Sequence, residues 1–594
     1  MPARIIYRTA PDGLQRQAAA LGLHPVAARV LAHRAAASGV SPAALIGDSL
    51  AELDHPGSLP DIDRASERIV RAVGNGEMIG LATDHDVDGV TAHAVLYRAL
   101  VDHFGHPATR IQHYIGLRLQ EGYGLSDSLC ERMLASVPPP SLVITADMGS
   151  ADGPRLARLA DAGIDVVVTD HHGIPGEGSP ESAYACVSPL ADDSAYPDRC
   201  IAGVMVAWLL MCHTRNALLA AGHLAPGAPG LGRLLDYVAL GTVADCVSLV
   251  RSVNNRRVLK AGLRQIAAGS RPCWQAFRAL RNDADAPLLA ADLAFGLAPR
   301  INATGRLDDA MEAVRFLLAD ELPEAERRAA VLDRMNQVRK GIERTLQEEG
   351  LAAGRQLVDA GRAAVCVSFA AGHAGVHGII ASRLVDAYGR PAVCFSPAMN
   401  QPGVLTGSCR SVSGFDIRAA LQDIDERSPG LLLRYGGHAG AAGLGLAATD
   451  FDAFAGLFDD AVGRQIAAAD LGPKLHVDGD LVLDQINLRL VEGLAALEPF
   501  GREFDEPLFT AEFVPARARA MGQDGTHWKL ELGGGLEAVW FNAGVDCPVE
   551  SGQPVRLVFR PEANWWNGRQ RLQLIVKQRE NPAVVSRAAS ARIN

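Results

Sequence analysis

The rhythm of apolar and polar positions changes several times along the chain. Up to about residue 65, short helical patterns such as PAALIGDSL alternate with turns such as DHPGSLPDID. From Glu77 short, β-rich apolar runs take over. MIGLAT (78–83) stops at Asp84, SLVITA (141–146) at Asp147 and IDVVVT (164–169) at Asp170. Helical sequence separates them, as expected of a parallel α/β sheet. Ligands of such sheets bind beyond the carboxyl ends of the strands, so three acids delivered there predict one site. From DLAFGLAPRINATGR onward the pattern is helical. EAERRAAVLDRMNQVRKGIERTLQEEGLAAGRQLVD keeps a charged periodicity over 36 residues, which predicts one long helix or a helical pair between two lobes. A second α/β region follows, with strands AAVCVSF (363–369) and PAVCFSP (391–397) around the helix GVHGIIASRLVDAYG. Between Lys474 and Gln578 the period falls to two, in HWKLELGGGLEAVWF and RLQLIVKQ, with GGG and NG as turns. That predicts a small antiparallel barrel.

Length and composition bound this picture. At roughly 100–200 residues per domain, 594 residues imply several domains. The expected limits are 1–65 for an N-terminal helical segment, 66–290 for the first α/β lobe and 291–355 for a helical connector. The second α/β lobe spans 356–465, the barrel 470–580 and a tail 581–594. With 48% hydrophobic and 21% charged residues, the chain is neither collagenous nor disordered. No stretch approaches the roughly 20 apolar residues of a membrane span. The opening MPARIIYRTAPDGLQRQ lacks an export signal's apolar core. Ten scattered cysteines without a CxxC pair read as reduced, buried thiols. A cytoplasmic protein is expected. The net charge of −11 excludes a global basic field for nucleic acid, but not a local basic channel. Only five of the 57 cationic residues are lysine; a GC-rich coding sequence accounts for this, and no function is taken from it.

The acids carry the chemistry. TDHDVDGVTAH places Asp84, Asp86 and Asp88 at alternate positions after a strand. D-x-D-x-D-G also opens an EF-hand loop, but the later ligand positions are wrong here, with no closing Glu. ADMGS adds Asp147, TDHHG adds Asp170, His171 and His172, and ALGTVADCVSLV adds Asp245 in an apolar stretch. A buried, isolated carboxylate costs several kcal/mol, and a cation relieves that cost. Oxygen-rich sets with one or two histidines suit Mn2+ or Mg2+, and two such ions form a clamp for phosphoryl transfer. No GxSxG motif or catalytic Cys–His pair competes with this reading.

The series DHDVDG, TADMG, TDHHG and GTVADCVSLV resembles the DHH phosphoesterase superfamily, and GGHAGAAG resembles the glycine-rich motif of its DHHA1 domain. PRINATGR, GSCRS and LEPFGREFDEPLF…HWKLEL resemble the RecJ family of bacterial single-stranded-DNA exonucleases, in collinear order from about residue 20 to 578. The resemblance implies a multidomain α/β protein: a parallel-sheet DHH lobe and an α/β DHHA1 lobe joined by a long helix, then an OB-fold barrel. It implies metal-dependent 5′→3′ hydrolysis of single-stranded DNA to 5′ mononucleotides by two Mn2+ or Mg2+ ions, in DNA repair and recombination. It also implies a monomer without membrane contact, working with a helicase and a single-strand-binding protein. Asp84, Asp86, Asp88, Asp147, His171 and Asp245 match the metal positions, and His172 matches the imidazole beside the scissile phosphate. Arg118, Ser408 and Arg410 match groups holding a 5′ phosphate. Arg300, Arg306 and His438 match the DNA path or phosphate contacts. For each arginine alone, a surface ion pair is an equally good reading. In the barrel, Trp528, Lys529, Trp565 and Arg569 are candidate strand contacts, whereas Trp540 reads better as core. His85, Met148 and Gly372 depart from the family pattern, and the barrel entry GREFDEP is unusually acidic; none of these removes a metal ligand. The alternatives are a phosphodiesterase of short oligonucleotides or cyclic dinucleotides, lacking such a barrel, and a non-catalytic scaffold, lacking the complete acid set.

Overall fold

The computed structural model describes residues 2–117, 121–122, 124–174, 178–281, 286–307, 309–399, 401–566, 569–580 and 585–586. The chain opens on a four-residue strand, β1 (Arg4–Tyr7), followed by helices that include Pro25–Ser38 and Ile62–Asn75. Five strands then build one wholly parallel sheet: β2 (Ile79–Thr83), β3 (Ile111–Ile115), β4 (Leu142–Ala146), β5 (Asp165–Thr169) and β6 (Ala185–Val187). Every residue of β2 and β4 is buried, as continuous apolar runs covered on both faces must be. The order β3-β2-β4-β5-β6 sends the chain to one side of β2 and brings it back on the other. The crevice between β2 and β4 is therefore a topological switch point, where open α/β sheets bind ligands.

Helix Ala298–Leu307, which carries PRINATGR, packs on the loop leaving β2: Asn302 accepts a hydrogen bond from the Val87 amide at 3.2 Å. The charged periodic segment is one helix, Leu322–Asp359, of 38 residues. It leads into a second lobe made of β7 (Val365–Ser368), β8 (Ala392–Pro397), β9 (Val404–Arg410), β10 (Arg434–His438) and β11 (Ala441–Ala447), in the order β10-β11-β9-β8-β7. Its core is separate from that of the first lobe, with Phe454 set against both Phe395 and Phe458.

The remaining strands are β12 (Lys474–Val477), β13 (Phe509–Phe513), β14 (Pro515–Met521), β15 (His527–Leu532), β16 (Glu537–Trp540), β17 (Val555–Trp566), β18 (Arg569–Arg579) and β19 (Val585–Ser586). β13 to β18 form a six-stranded sheet in the order β13-β17-β18-β16-β15-β14. One neighbour pair, β16 with β18, is parallel, which departs from the all-antiparallel expectation. A period of two reports which face a side chain occupies and is blind to strand direction. The N-terminal segment is not helical throughout, because β1 pairs in parallel with β12 and β19. RIIY is too short to announce a strand, and partners far along the chain make it one. At this junction the buried Asp478 accepts two guanidinium hydrogen bonds from Arg34, at 2.8 and 3.0 Å, and lies 3.0 Å from His33 Nδ1. One described helix, Gly203–Ala220, is long and apolar enough to cross a membrane; most of its residues are buried in the first lobe.

Candidate metal centre

The site is built at the carboxyl edge of the first sheet. After β2, the Asp86 side chain caps helix Val87–Arg98, accepting from the Asp88 and Gly89 amides at 2.9 and 3.2 Å. Asp88 sits in the first turn of that helix, and its two oxygens accept from the Gly203 and Val204 amides at 2.7 and 2.9 Å. These amides open helix Gly203–Ala220, a terminus suited to an anion. After β4 the chain turns through Asp147, which holds a left-handed φ of 62° with its amide bonded to the Thr169 carbonyl. Such a conformation is strained for a residue with a side chain. Gly203 lets this happen, since a Cβ there would lie 2.8 Å from Asp147 Oδ1. Asp245 follows helix Leu235–Ala244 from the other side. Three overlapping sets of ligand atoms each fall within 4.8 Å of one another: Asp84 with Asp86 and Asp147, Asp88 with His171 and Asp245, and Asp147 with His171 and His172.

Asp170, at the end of β5, organises the two histidines. One of its oxygens accepts from the His171 and His172 amides and from His172 Nδ1 at 2.8 Å, and the other from the amide and hydroxyl of Ser150. His171 Nδ1 lies 3.0 Å from the Ile201 carbonyl. A carbonyl only accepts, so Nδ1 carries the proton and Nε2 is left with a lone pair, the orienting device common beside metal-bound imidazoles. That Nε2 faces Asp147 at 3.1 Å, Asp245 at 3.6 Å and Asp88 at 3.7 Å.

Charge reinforces the geometry. Burial and the neighbouring carboxylates push Asp147 and Asp245 well above the ordinary range, and burial with Asp86 beside it pushes Asp88 up to about 7. Burial, with His172 nearby, lowers His171 to about 4, keeping it neutral. His172 goes the other way. Burial opposes its charge, but the hydrogen bond and charge of Asp170, with Asp245 and Asp84, hold it up at about 9. Asp147 Oδ1 and His171 Nε2 are both buried without a hydrogen-bond partner, and both point lone pairs at one gap. A divalent cation is the species that satisfies two such atoms together, and the mixed carboxylate–imidazole set fits Mn2+ or Mg2+.

The second lobe supplies the opposite wall. Ser408 and Arg410 lie two apart on β9, and Arg410 and His438 both pair with Ala441 of the intervening β11. Burial, with the positive charges of His172 in the first lobe, Arg410 and Arg502, lowers His438. Arg300 turns to Asp333 of the long helix at 2.8 Å, and Arg306 hydrogen-bonds the Gly375 carbonyl. Arg118 lies outside the described residues, as do the side chains of Trp565 and Arg569. Trp528 donates to the Gly544 carbonyl and packs partly on the core, as Trp540 does; Lys529 pairs with Glu537 at 2.9 Å. Residue pattern alone missed the orienting role of Asp170, the amide cradle at Gly203–Val204, and Asn302. The first was signalled by an acid directly before two histidines; the other two had no local signal.

Three family models match in chain order: the DHH family N-terminal domain over 78–242, the DHHA1 domain over 362–464 and the RecJ OB domain over 477–578. A single-stranded-DNA-specific exonuclease RecJ from Dickeya dadantii is 36% identical over 530 residues, 87% of this chain and 90% of the relative. The Escherichia coli protein of the same name is 34% identical over 529 residues, again 87% and 90%. The crystal structure of RecJ in complex with Mn2+ from Thermus thermophilus superposes with a TM-score of 0.78 at 27% identity, covering 98% of this chain and 80% of that one. With that identity spread over most of both chains, and the acid cluster set at the sheet's switch point, this chain belongs to the RecJ family of single-stranded-DNA-specific exonucleases.

Proposed function

We propose that the chain is a hydrolase that degrades single-stranded DNA from its 5′ end to 5′ mononucleotides, in DNA repair and recombination, using two Mn2+ or Mg2+ ions. The observation that carries this is the pair of orphaned, buried ligand atoms, Asp147 Oδ1 and His171 Nε2, set among four further carboxylates in a member of this family. Asp84, Asp86, Asp88, Asp147, His171 and Asp245 would hold the ions. Bound there, divalent cations activate water and stabilise the charge that develops on a phosphodiester under attack.

The chain's own residues do the rest. Asp170 holds His172 protonated and fixed in direction, so that it presents an N–H to a phosphate oxygen. Ser408 and Arg410 form a charge-assisted clamp for a terminal 5′ phosphate, and His438 contacts phosphate across the gap. Arg118 joins that 5′-phosphate clamp, Arg300 and Arg306 line the strand's path, and Trp528, Lys529, Trp565 and Arg569 meet the strand on the barrel by stacking and charge. The chain works as a cytoplasmic monomer alongside a helicase and a single-strand-binding protein. The test is digestion of end-labelled single-stranded and duplex DNA with Mn2+, Mg2+ or EDTA. Mononucleotides released only from single strands, and only with metal, are expected. Activity surviving EDTA would overturn the metal assignment.

A further inference from the structure

The acidic turn that leads into the barrel's strands is fastened to the segment just beyond Asp245. Gly501 and Phe504 exchange backbone hydrogen bonds at 3.0 and 3.1 Å, leaving Arg502 and Glu503 at the tip of a tight turn with Glu503 at a left-handed φ of 63°. The tip is fastened to Ser248–Arg251, just beyond Asp245. Glu503 accepts from Ser248 at 2.6 Å and from two nitrogens of Arg251 at 2.9 and 3.0 Å, while the Leu249 amide donates to the Arg502 carbonyl at 3.0 Å. Behind the turn, the fully buried Arg256 donates to the carbonyls of Leu497 and Pro499 and lies 3.8 Å over the Phe504 ring.

This anchoring uses Glu503 and the backbone, and leaves the Arg502 side chain exposed, without a hydrogen bond or ion pair to any described residue. Through this clasp the Arg502 backbone is bonded to Leu249, four residues beyond Asp245, and the first strand of the six-stranded barrel sheet begins seven residues later at Phe509, so Arg502 stands at the passage from the metal centre to the barrel. An exposed guanidinium on a clamped turn, whose neighbouring Glu503 is already taken by Ser248 and Arg251, is free to meet an anion there.

We infer that Arg502 is a strand-binding residue, which contacts a backbone phosphate between the metal centre and the barrel and is positioned by the Glu503–Arg251 clasp. This rests on the reading of the chain as a single-strand nuclease. The experiment measures binding of a fluorescent, 5′-phosphorylated oligothymidylate to the full chain in EDTA over a range of salt, and Mn2+ affinity separately without DNA. Arg502→Ala is expected to weaken binding about three- to tenfold and to lower the log–log salt slope by about 0.7, the value for one phosphate on a single strand. Arg502→Lys should restore the slope but only part of the affinity, lacking the forked donor. Arg251→Ala should weaken binding less than Arg502→Ala, in the same direction. Tighter Mn2+ binding by Arg502→Ala with an unchanged salt slope would show that Arg502 only compensates Asp245, and would overturn the inference. A wild-type chain that fails to bind the strand would instead overturn the reading of function beneath it.

Discussion

Two buried charge clusters in this chain solve the same problem in opposite ways. At the junction between the N-terminal helices and β12, Asp478 is wholly buried, and Arg34 and His33 satisfy it. Burial would raise its pKa, but the Arg34 charge, the hydrogen bonds of His33 and Arg34, and the Arg8 charge hold it at about 2. At the metal centre, Asp88, Asp147 and Asp245 are gathered with few cationic groups, and burial with mutual repulsion drives all three up. The junction is complete as folded. The centre is complete only when something positive joins it. A buried acid with its own arginine belongs to architecture, whereas buried acids that share an unpaired imidazole belong to chemistry.

The sharpest way to break this contrast is to remove one acid from each cluster. Asp147→Ala is expected to lower turnover by at least about a thousandfold, several kcal/mol of barrier, with no loss of thermal stability in EDTA. Turnover near wild type in a folded variant would sink the metal assignment. Asp478→Ala should do the reverse, destabilising the chain by about 3–5 kcal/mol by stranding a buried guanidinium, while molecules that remain folded keep their turnover. Denaturant melts alongside steady-state rates separate the two outcomes. The same ion pair bears on truncation. Cutting at residue 474 removes β12 and Asp478 from under β1 and Arg34, so it damages the N-terminal segment as well as removing the barrel.

The response to pH should differ in sign as well. Asp478 is depressed from 3.8 to about 2, so its stabilisation is present above pH 4 and is lost as pH falls towards 2. Asp88 is raised from 3.8 to about 7, so the folded, metal-free state binds more protons than the unfolded one over that window. In EDTA, stability should therefore fall as pH rises from about 4 to about 7, and millimolar Mn2+ should abolish that fall. Melting temperatures with and without Mn2+ across this range check it; identical curves would deny the cluster a cation.

The smallest expected effect lies on the second lobe. Arg410→Ala should reduce the preference for a 5′ phosphate over a 5′ hydroxyl a few-fold, about 1 kcal/mol, in single-turnover rates on matched strands. Gly378→Ala should mimic it, because a Cβ there would lie 2.5 Å from an Arg410 guanidinium nitrogen. Equal slowing on both strands would make Arg410 a general backbone contact.

Much of this was legible in the sequence because it is local. The strands ending at Asp84, Asp147 and Asp170 announce themselves as apolar runs closed by an acid, and a parallel sheet must bring those ends to one edge. Periodicity likewise marks Leu322–Asp359 as helical, and period two marks the barrel strands. What the sequence could not decide depends on meetings between distant segments. β1 exists because Lys474–Val477 pairs with it, and β16 lies parallel to β18, a direction that leaves no trace in alternation. His171 offers Nε2 because the Ile201 carbonyl takes its other nitrogen. Asp88 rests on amides more than a hundred residues away, and the turn that carries Arg502 is pinned by Ser248 and Arg251. Hydrophobic period and strand-end acids are properties of neighbours in the chain. Tautomer, register, strand direction and the choice between a satisfied and an unsatisfied buried charge are set by partners that only folding brings together.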